Sequence, residues 1–308
     1  MTPTTRADRP LVILGPTASG KSSLALAIAN EIGAAEIVSI DSMAVYRGMD
    51  IGTAAPTASD RDQVPHHLID VADPSEEFTV GVFKRMALRA IAEIRERGNT
   101  PILVGGTGLY LRAVVDDLKL PGRYPEIAAE LDAEPDTEAL HARLTLLDPT
   151  AASRMEPSNR RRVLRALEVT IGSGTLFSSF GPGLEHYGPT SFVMVALRWP
   201  QEILDERISA RYQDQMEAGF LDEVRALAAG EVSRTAAQAL GYREFLAHVA
   251  GECTLEEALA TAIKRTRRFA RRQLRWFRRD PRICWIDAPV TVSEMISHWD
   301  EQRILTTG

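Results

Sequence analysis

An apolar run, Leu11-Val12-Ile13-Leu14, leads directly into Gly15-Pro16-Thr17-Ala18-Ser19-Gly20-Lys21-Ser22, which is followed by Ser23-Leu24-Ala25-Leu26-Ala27-Ile28-Ala29. No other stretch constrains the fold as strongly. The middle segment fills every fixed position of G-x-x-x-x-G-K-[ST], and its flanks read as strand and helix. In that setting successive backbone N–H groups turn inward and hold a polyphosphate, and the positive end of the following helix adds to the field. Lys21 supplies a mobile charge for the phosphates, and the Ser22 hydroxyl can ligate Mg²⁺. The bland alternative is a Gly-rich turn that only joins a strand to a helix, and the complete match speaks against it. The motif specifies a phosphate and leaves open which phosphate compound.

The chain has 308 residues, 44% hydrophobic and 25% charged, ordinary values for a soluble globular protein with room for more than one domain. Its two cysteines, Cys253 and Cys284, form neither a disulfide framework nor a metal-ligand spacing, so a cytoplasmic location is expected. No run is long enough to cross a bilayer, and no membrane partner is expected. Residues 1–10 lack an apolar signal core and read as a loose tail. The net charge of −6 conceals an asymmetry: Thr261 to Arg282 holds ten Lys or Arg and a single acid, Asp280, leaving the remainder of the chain strongly acidic. Such a segment is either a solvated helix face or a surface for a polyanion, and the lack of balancing acids favours the second.

Along the chain, Glu36 to Ile40 reads as a second strand ending at Asp41, where α/β sheets place their chemistry. Asp41 is open to two readings, a Mg²⁺ ligand or helix cap on one side and a general base on the other. His66 and His67 are adjacent and so point apart; packing or hydrogen bonding suits them better than metal ligation. Phe78 to Arg97 has helical spacing and stops at Gly98. Pro101 to Val104 is a third buried strand, ending in Gly105-Gly106-Thr107-Gly108, where Thr107 either hydrogen-bonds a substrate or only shapes a turn. From Pro121 to about Pro189 the alternation stops. Asp136 can cap a helix over Thr137 to Leu147, and Ser158 one over Asn159 to Ile171 that carries Arg160, Arg161, Arg162 and Arg165. Gly172 to Gly188 reads as a mobile return linker. A strand at Ser191 to Leu197 resumes the pattern, followed by helices bearing Arg207 and Arg211. A capping box, Thr254 with Glu257, opens a long helix with an apolar stripe of Ile263, Ala270, Leu274 and Phe277. The predicted fold is α/β: a P-loop NTPase-like parallel sheet flanked by helices, with residues 1–121 and 190–308 as the core and 122–189 as an inserted helical domain.

At this point the chain resembles the tRNA dimethylallyltransferase, or tRNA isopentenyltransferase, family along nearly its whole length. The resemblance rests on the phosphate loop, Asp41 to Ala54, Pro65 to Asp70, Val104 to Tyr110, Arg165 to Val169, Leu240 to Glu244 and Thr266 to Phe277, in that order. It implies transfer of a dimethylallyl group from dimethylallyl diphosphate to N6 of the adenosine just 3′ of the anticodon. It also implies that the loop, Gly15 to Ser22 with Pro16, Thr17, Ala18, Ser19, Gly20 and Lys21, holds the donor's diphosphate with Mg²⁺ at Ser22, and that no phosphoryl group moves. By the same resemblance Asp41 accepts the N6 proton. Asp41, Ser42, Met43, Ala44, Thr107, Arg161, Arg162, Val163, Leu164 and Arg165 are the implied tRNA contacts, with the inserted domain as a tRNA-binding domain and the anticodon stem-loop as partner. Thr17 and Lys21 join Asp41 in catalysis, and Arg211, ahead of Arg207, is the candidate arginine on the leaving group. A monomer is expected.

The sequence departs from the family at Ala55, where Lys is usual, at Arg275, where Thr is commoner, and in the linker around Leu176 to Gly183. These leave the catalytic groups intact and bear on the grip of tRNA. The competing readings are a P-loop small-molecule kinase, a dimethylallyltransferase acting on free adenine nucleotides, and a non-catalytic RNA-binding ATPase switch.

Overall fold

In the computed structural model, which describes residues 5–305, Leu11–Leu14 is strand β1, near the middle of a six-stranded parallel sheet. Before the insertion come α1 (Lys21–Ile32), β2 (Ala35–Ile40), α2 (Asp50–Thr53), α3 (Ala58–Gln63), β3 (His66–His67), α4 (Val80–Glu96), β4 (Thr100–Gly105) and α5 (Gly108–Val115). The inserted segment holds α6 (Pro125–Asp132), α7 (Thr137–Leu147), α8 (Pro149–Ser153) and α9 (Arg160–Ser173). The sheet resumes with β5 (Val193–Arg198), followed by α10 (Gln201–Glu217), α11 (Phe220–Ala228), α12 (Tyr242–Val249), α13 (Leu255–Phe277), β6 (Cys284–Asp287) and α14 (Val292–Leu305).

The strand order is β3-β2-β4-β1-β5-β6, with every pairing parallel. The chain leaves β1 towards β2 and β3 on one side and later adds β5 and β6 on the other. The order therefore reverses beside β1, which opens a crevice at the carboxyl ends of the neighbouring strands. The loops after β1, β4 and β2 sit side by side there. Both faces of the sheet are covered, which is why its central strands are apolar at nearly every position. Val12, Leu14, Ile40, Leu103 and Met194 join one core with Phe83, Ile208 and Phe277, while Leu11, Ile13, Ile102 and Val195 join the other with Ile28, Met295 and Trp299. This is the two-residue alternation of a strand.

The segment Asp116–Gly188 is a compact unit of its own. Leu131, Leu140, Leu144, Val163 and Leu167 form its core. Asn159, not Ser158, caps α9, through its Oδ1 and the Arg162 N–H at 3.3 Å. The stretch expected to be a mobile linker is anchored in its first half. Phe177–Phe180 form a 3₁₀ turn, where Asp148 Oδ2 accepts from the Ser178 N–H at 2.8 Å and Thr170 Oγ1 from the Phe177 N–H at 3.3 Å.

The loose-tail expectation also fails within the described residues; its first four residues lie outside them. Arg6 pairs with Asp300 at 2.6 Å, Trp299 Nε1 donates to the Arg9 carbonyl at 2.9 Å, and Pro10 is buried. Sequence reasoning missed the partner, α14. Its signal was a further capping box: Glu294 Oε2 accepts from the Thr291 N–H at 2.8 Å, and Thr291 Oγ1 from the Glu294 N–H at 3.2 Å.

Candidate active site

The loop after β1 alternates its backbone handedness. Ala18 (φ 63°) and Gly20 (φ 84°) are left-handed, and the Ser19 N–H closes a turn on the Pro16 carbonyl at 3.2 Å. That alternation forms an anion-binding concavity from main-chain N–H groups. Helix α1 starts at Lys21, so its unpaired first-turn N–H groups face the same place. Gly15 is required by space, since a Cβ there would come within 2.5 Å of Ser19 Oγ. Lys21 Nζ donates to the Pro16 carbonyl at 3.3 Å. Burial pushes its pKa down to about 8, opposed by the charge of Asp41 and reinforced by that of Arg211.

Helix α10 sends two arginines, one turn apart, to this loop. Arg211 donates through Nη1 to Thr17 Oγ1 at 2.8 Å and through Nη2 to the Gly52 carbonyl at 3.0 Å. Burial lowers its pKa. Arg207 is exposed; it donates to the Ala18 carbonyl at 2.8 Å and lies 4.8 Å over the Trp199 ring. Gly52 is itself held firmly. Glu223 accepts from the N–H groups of Asp50 (2.9 Å), Ile51 (2.8 Å) and Gly52 (3.0 Å) and from the Tyr242 hydroxyl (2.5 Å). Burial and the Glu223 charge raise the Tyr242 pKa, which keeps the phenol a donor. Beyond Arg211 lies a cavity of about 620 Å³, whose wall includes Ala55, Asp50, Arg61 and Asp70. Arg61 meets Asp70 at 2.5 Å, so a cation balances these acids although Ala55 brings none.

Asp41 follows β2 and is half-buried. Its Oδ1 accepts from the Met43 N–H (2.8 Å) and the Ala44 N–H (3.3 Å), so the capping reading holds for that oxygen. Its charge is felt by both Lys21 and Arg211, which brings this carboxylate to the loop after β1. Thr107 shapes the adjacent loop: its Oγ1 accepts from the Ser42 N–H at 3.3 Å and donates to Ser42 Oγ at 3.4 Å. Glycine at 105 lets β4 approach β2, since a Cβ would fall 2.1 Å from the Ile40 carbonyl oxygen. Gln273, reaching in from α13, was missed by sequence reasoning. Its Oε1 accepts from the Thr17 N–H at 3.0 Å and its Nε2 donates to the Gly106 carbonyl at 2.9 Å. The available signal was a polar residue on the same side of the helix as Ala270 and Phe277.

The donors present suit a hard cation. The Ser22 hydroxyl, exposed at the start of α1, is the oxygen donor that would hold it. The histidines are used otherwise: His67 Nε2 lies 2.6 Å from Glu36 Oε2, and His66 Nδ1 lies 2.7 Å from the Val64 carbonyl.

Two of the predicted contact residues have their side chains packed inward. Val163 is 0% exposed in the core of the helical unit, and Ala44 is 6% exposed with both backbone polar groups engaged in the turn after β2. Neither side chain can present itself to a ligand without unpacking its core. Leu164 is half-buried against the same helical core as Val163. Arg165 is occupied internally, donating to the Pro121 and Gly122 carbonyls at 2.9 and 3.0 Å and pairing with Glu168 at 2.7 Å. Arg161 and Arg162 are exposed. In the other unit, α13 exposes Lys264, Arg268, Arg271 and Arg275, and Arg278, its C-terminal cap, is exposed too. Their spacing of four, three, four and three places them in one stripe along the helix.

The chain matches the family model described as IPP transferase over residues 44–280. It is similar to tRNA dimethylallyltransferases of Streptomyces coelicolor (47% identity, 92% of each chain) and Thermobifida fusca (47%, 91% of this chain and 90% of that one). Among solved structures it is similar to the full-length tRNA isopentenylpyrophosphate transferase of Bacillus halodurans (TM-score 0.71, 38% identity, 97% of this chain and 99% of that one). It is also similar to a eukaryotic dimethylallyltransferase described as acting on tRNA (TM-score 0.76, 27% identity, 96% and 77%).

Proposed function

The chain belongs to the IPP transferase family of tRNA dimethylallyltransferases, and from that premise we propose how its residues carry out tRNA prenylation. The donor is dimethylallyl diphosphate and the acceptor is N6 of the adenosine 3′ of the anticodon. The single observation that carries the reading is the convergence, at one crevice, of a phosphate loop with a half-buried arginine on Thr17 and the Asp41 carboxylate whose field reaches Lys21 and Arg211.

The loop amides, Lys21 and Arg211 hold the diphosphate of the donor. As the bond between C1 of the allyl group and the diphosphate oxygen breaks, charge grows on that oxygen, and these groups stabilise it in place. N6 forms the new bond to C1, and its proton passes to Asp41, whose Oδ1 stays anchored in the turn so that the second oxygen serves as base. The products are N6-dimethylallyladenosine in RNA and diphosphate. The Ser22 hydroxyl would hold Mg²⁺, which would supply further neutralisation of the leaving group. The adenine reaches the crevice by leaving its stack. Thr107 and Ser42 offer hydroxyls to it.

The basic stripe of α13 and the exposed Arg161 and Arg162 of α9 meet the phosphates of the anticodon stem-loop, which fix register and orientation. A free-nucleotide substrate would leave this cationic surface without a role.

The test is mass spectrometry of anticodon stem-loop RNA after incubation with the protein, Mg²⁺ and dimethylallyl diphosphate. The expected product carries one dimethylallyl group on the base beside the anticodon. Hydrolysis of ATP with an unmodified RNA would overturn the reading, and prenylation of AMP in preference to the stem-loop would replace the acceptor. In Asp41→Asn, RNA affinity is retained and kcat falls by about 10²–10⁴-fold; normal turnover would remove Asp41 from the base role.

A further inference from the structure

Helix α13 has two working faces. The outer one carries the exposed stripe of cations, and the inner one buries Gln273 to 7% exposure. A buried amide is costly unless both of its polar atoms are satisfied. Gln273 satisfies them on two different loops: the Thr17 N–H of the donor loop at 3.0 Å and the Gly106 carbonyl of the acceptor loop at 2.9 Å. The task needs a side chain that is acceptor at one atom and donor at the next, which an amide is and a carboxylate or an ammonium is not. Space is reserved for it, because a Cβ at Gly106 would stand 2.2 Å from Gln273 Nε2. Thr17 extends the connection, since its hydroxyl receives Arg211, which in turn donates to Gly52.

We infer that Gln273 is a positioning residue for the transfer: its amide sets the separation between the loop that holds the leaving diphosphate and the loop that presents the acceptor base. This rests on the prenyl-transfer reading of the same crevice. One side chain thereby bolts the donor half of the site to the acceptor half, from the helix whose far side meets the RNA. In-line attack of N6 on C1 tolerates little error in that separation. A misplacement of about 1 Å can cost 10²-fold in rate.

The experiment compares Gln273→Met, Gln273→Glu and Gly106→Ala with the wild-type protein. It measures kcat, the KM for dimethylallyl diphosphate and the Kd for a catalytically inert anticodon stem-loop. Gln273→Met keeps the bulk and loses both hydrogen bonds. Its kcat is expected to fall by about 10²-fold with the RNA Kd within about twofold. Gln273→Glu keeps the acceptor atom and loses the donor, so its kcat falls as well, with the KM for dimethylallyl diphosphate little changed. Gly106→Ala pushes the amide aside without touching α13. It loses activity in the same way, and adding Gln273→Ala to it costs little more. A wild-type-like kcat in Gln273→Met or in Gln273→Glu overturns the assignment. A wild-type protein that makes no prenylated RNA defeats the underlying reading instead, so the two failures are distinguishable.

Discussion

Lys21 shows how one residue carries both the motif and its environment. Its place in the loop was readable from the spacing of Gly15, Gly20 and Ser22, but its acidity was not. Burial lowers the ammonium to about 8, and the Asp41 charge recovers only part of the loss. The free protein therefore loses the Lys21 charge as the pH rises past about 8, well before an ordinary lysine would. We expect kcat/KM for dimethylallyl diphosphate to fall above that pH, because this ratio reports ionisations of the free enzyme. In Lys21→Arg the fall moves out of the measurable range, since guanidinium does not titrate there. A fall that persists unchanged in Lys21→Arg would assign it to another group. Asp41 makes the complementary point. Its position at a strand end suggested both a cap and a base; the structure finds the first in Oδ1, and the second oxygen is the one proposed as base.

At the scale of elements, α13 is the piece whose two faces were unequally legible. Its capping box, its length and its run of arginines are plain in the sequence, and Thr254 and Glu257 do cap it. Which arginines remain available is a packing result. Arg265 is taken by Glu244, and Arg267 donates to the Asp205 carbonyl and Ser209 Oγ at 3.2 and 2.8 Å. Lys264, Arg268, Arg275 and Arg278 are exposed. Replacing Arg268 and Arg275 by Gln should weaken stem-loop binding and lower the slope of log Kd against log salt by about 1 per lost phosphate contact. Arg265→Gln should instead act through stability. Filter binding over a salt series separates the two, and an unchanged slope for the Arg268 and Arg275 pair would take the stripe out of the interface. Helix α9 shows the reverse. Its arginines read as one cluster, yet Arg160 and Arg165 serve the unit's own carbonyls while Arg161 and Arg162 face solvent.

At the scale of the whole molecule, the end of β2 away from the crevice is pinned by a charge cluster. Glu36, 3% exposed, accepts from Arg97 Nε at 2.9 Å and Nη2 at 2.7 Å and from Asn99 at 2.8 Å, with His67 at 2.6 Å. Burial opposes its ionisation, but the bonds from Arg97, Asn99 and His67 outweigh that and hold its pKa at about 2, below the usual 4.5. A carboxyl depressed on folding stabilises above its unfolded pKa and loses that contribution as the pH falls towards the folded one. The contribution is about 3 kcal/mol at neutral pH, lost between about pH 5 and pH 2. Urea denaturation at pH 7 and pH 3 tests this. Glu36→Gln should be less stable at pH 7 and less sensitive to acid, and an acid response equal to wild type would show that the cluster does not carry it.

Local rules in the chain determined the strand–loop–helix of the phosphate site, the α/β alternation, the helical insertion and the capped basic helix. Each depends on residues within a few positions of one another, where period, capping and turn chemistry act. Tertiary structure decided what depends on residues far apart. It chose Gln273 and Glu223 as the ties between loops, sent Arg211 to Thr17 over Arg207, buried the side chains of Val163 and Ala44, and fastened residues 5–10 to α14. A buried polar atom has to be paired wherever its partner lies in the sequence, and the order of strands in the sheet, which no local pattern records, brings those partners within reach.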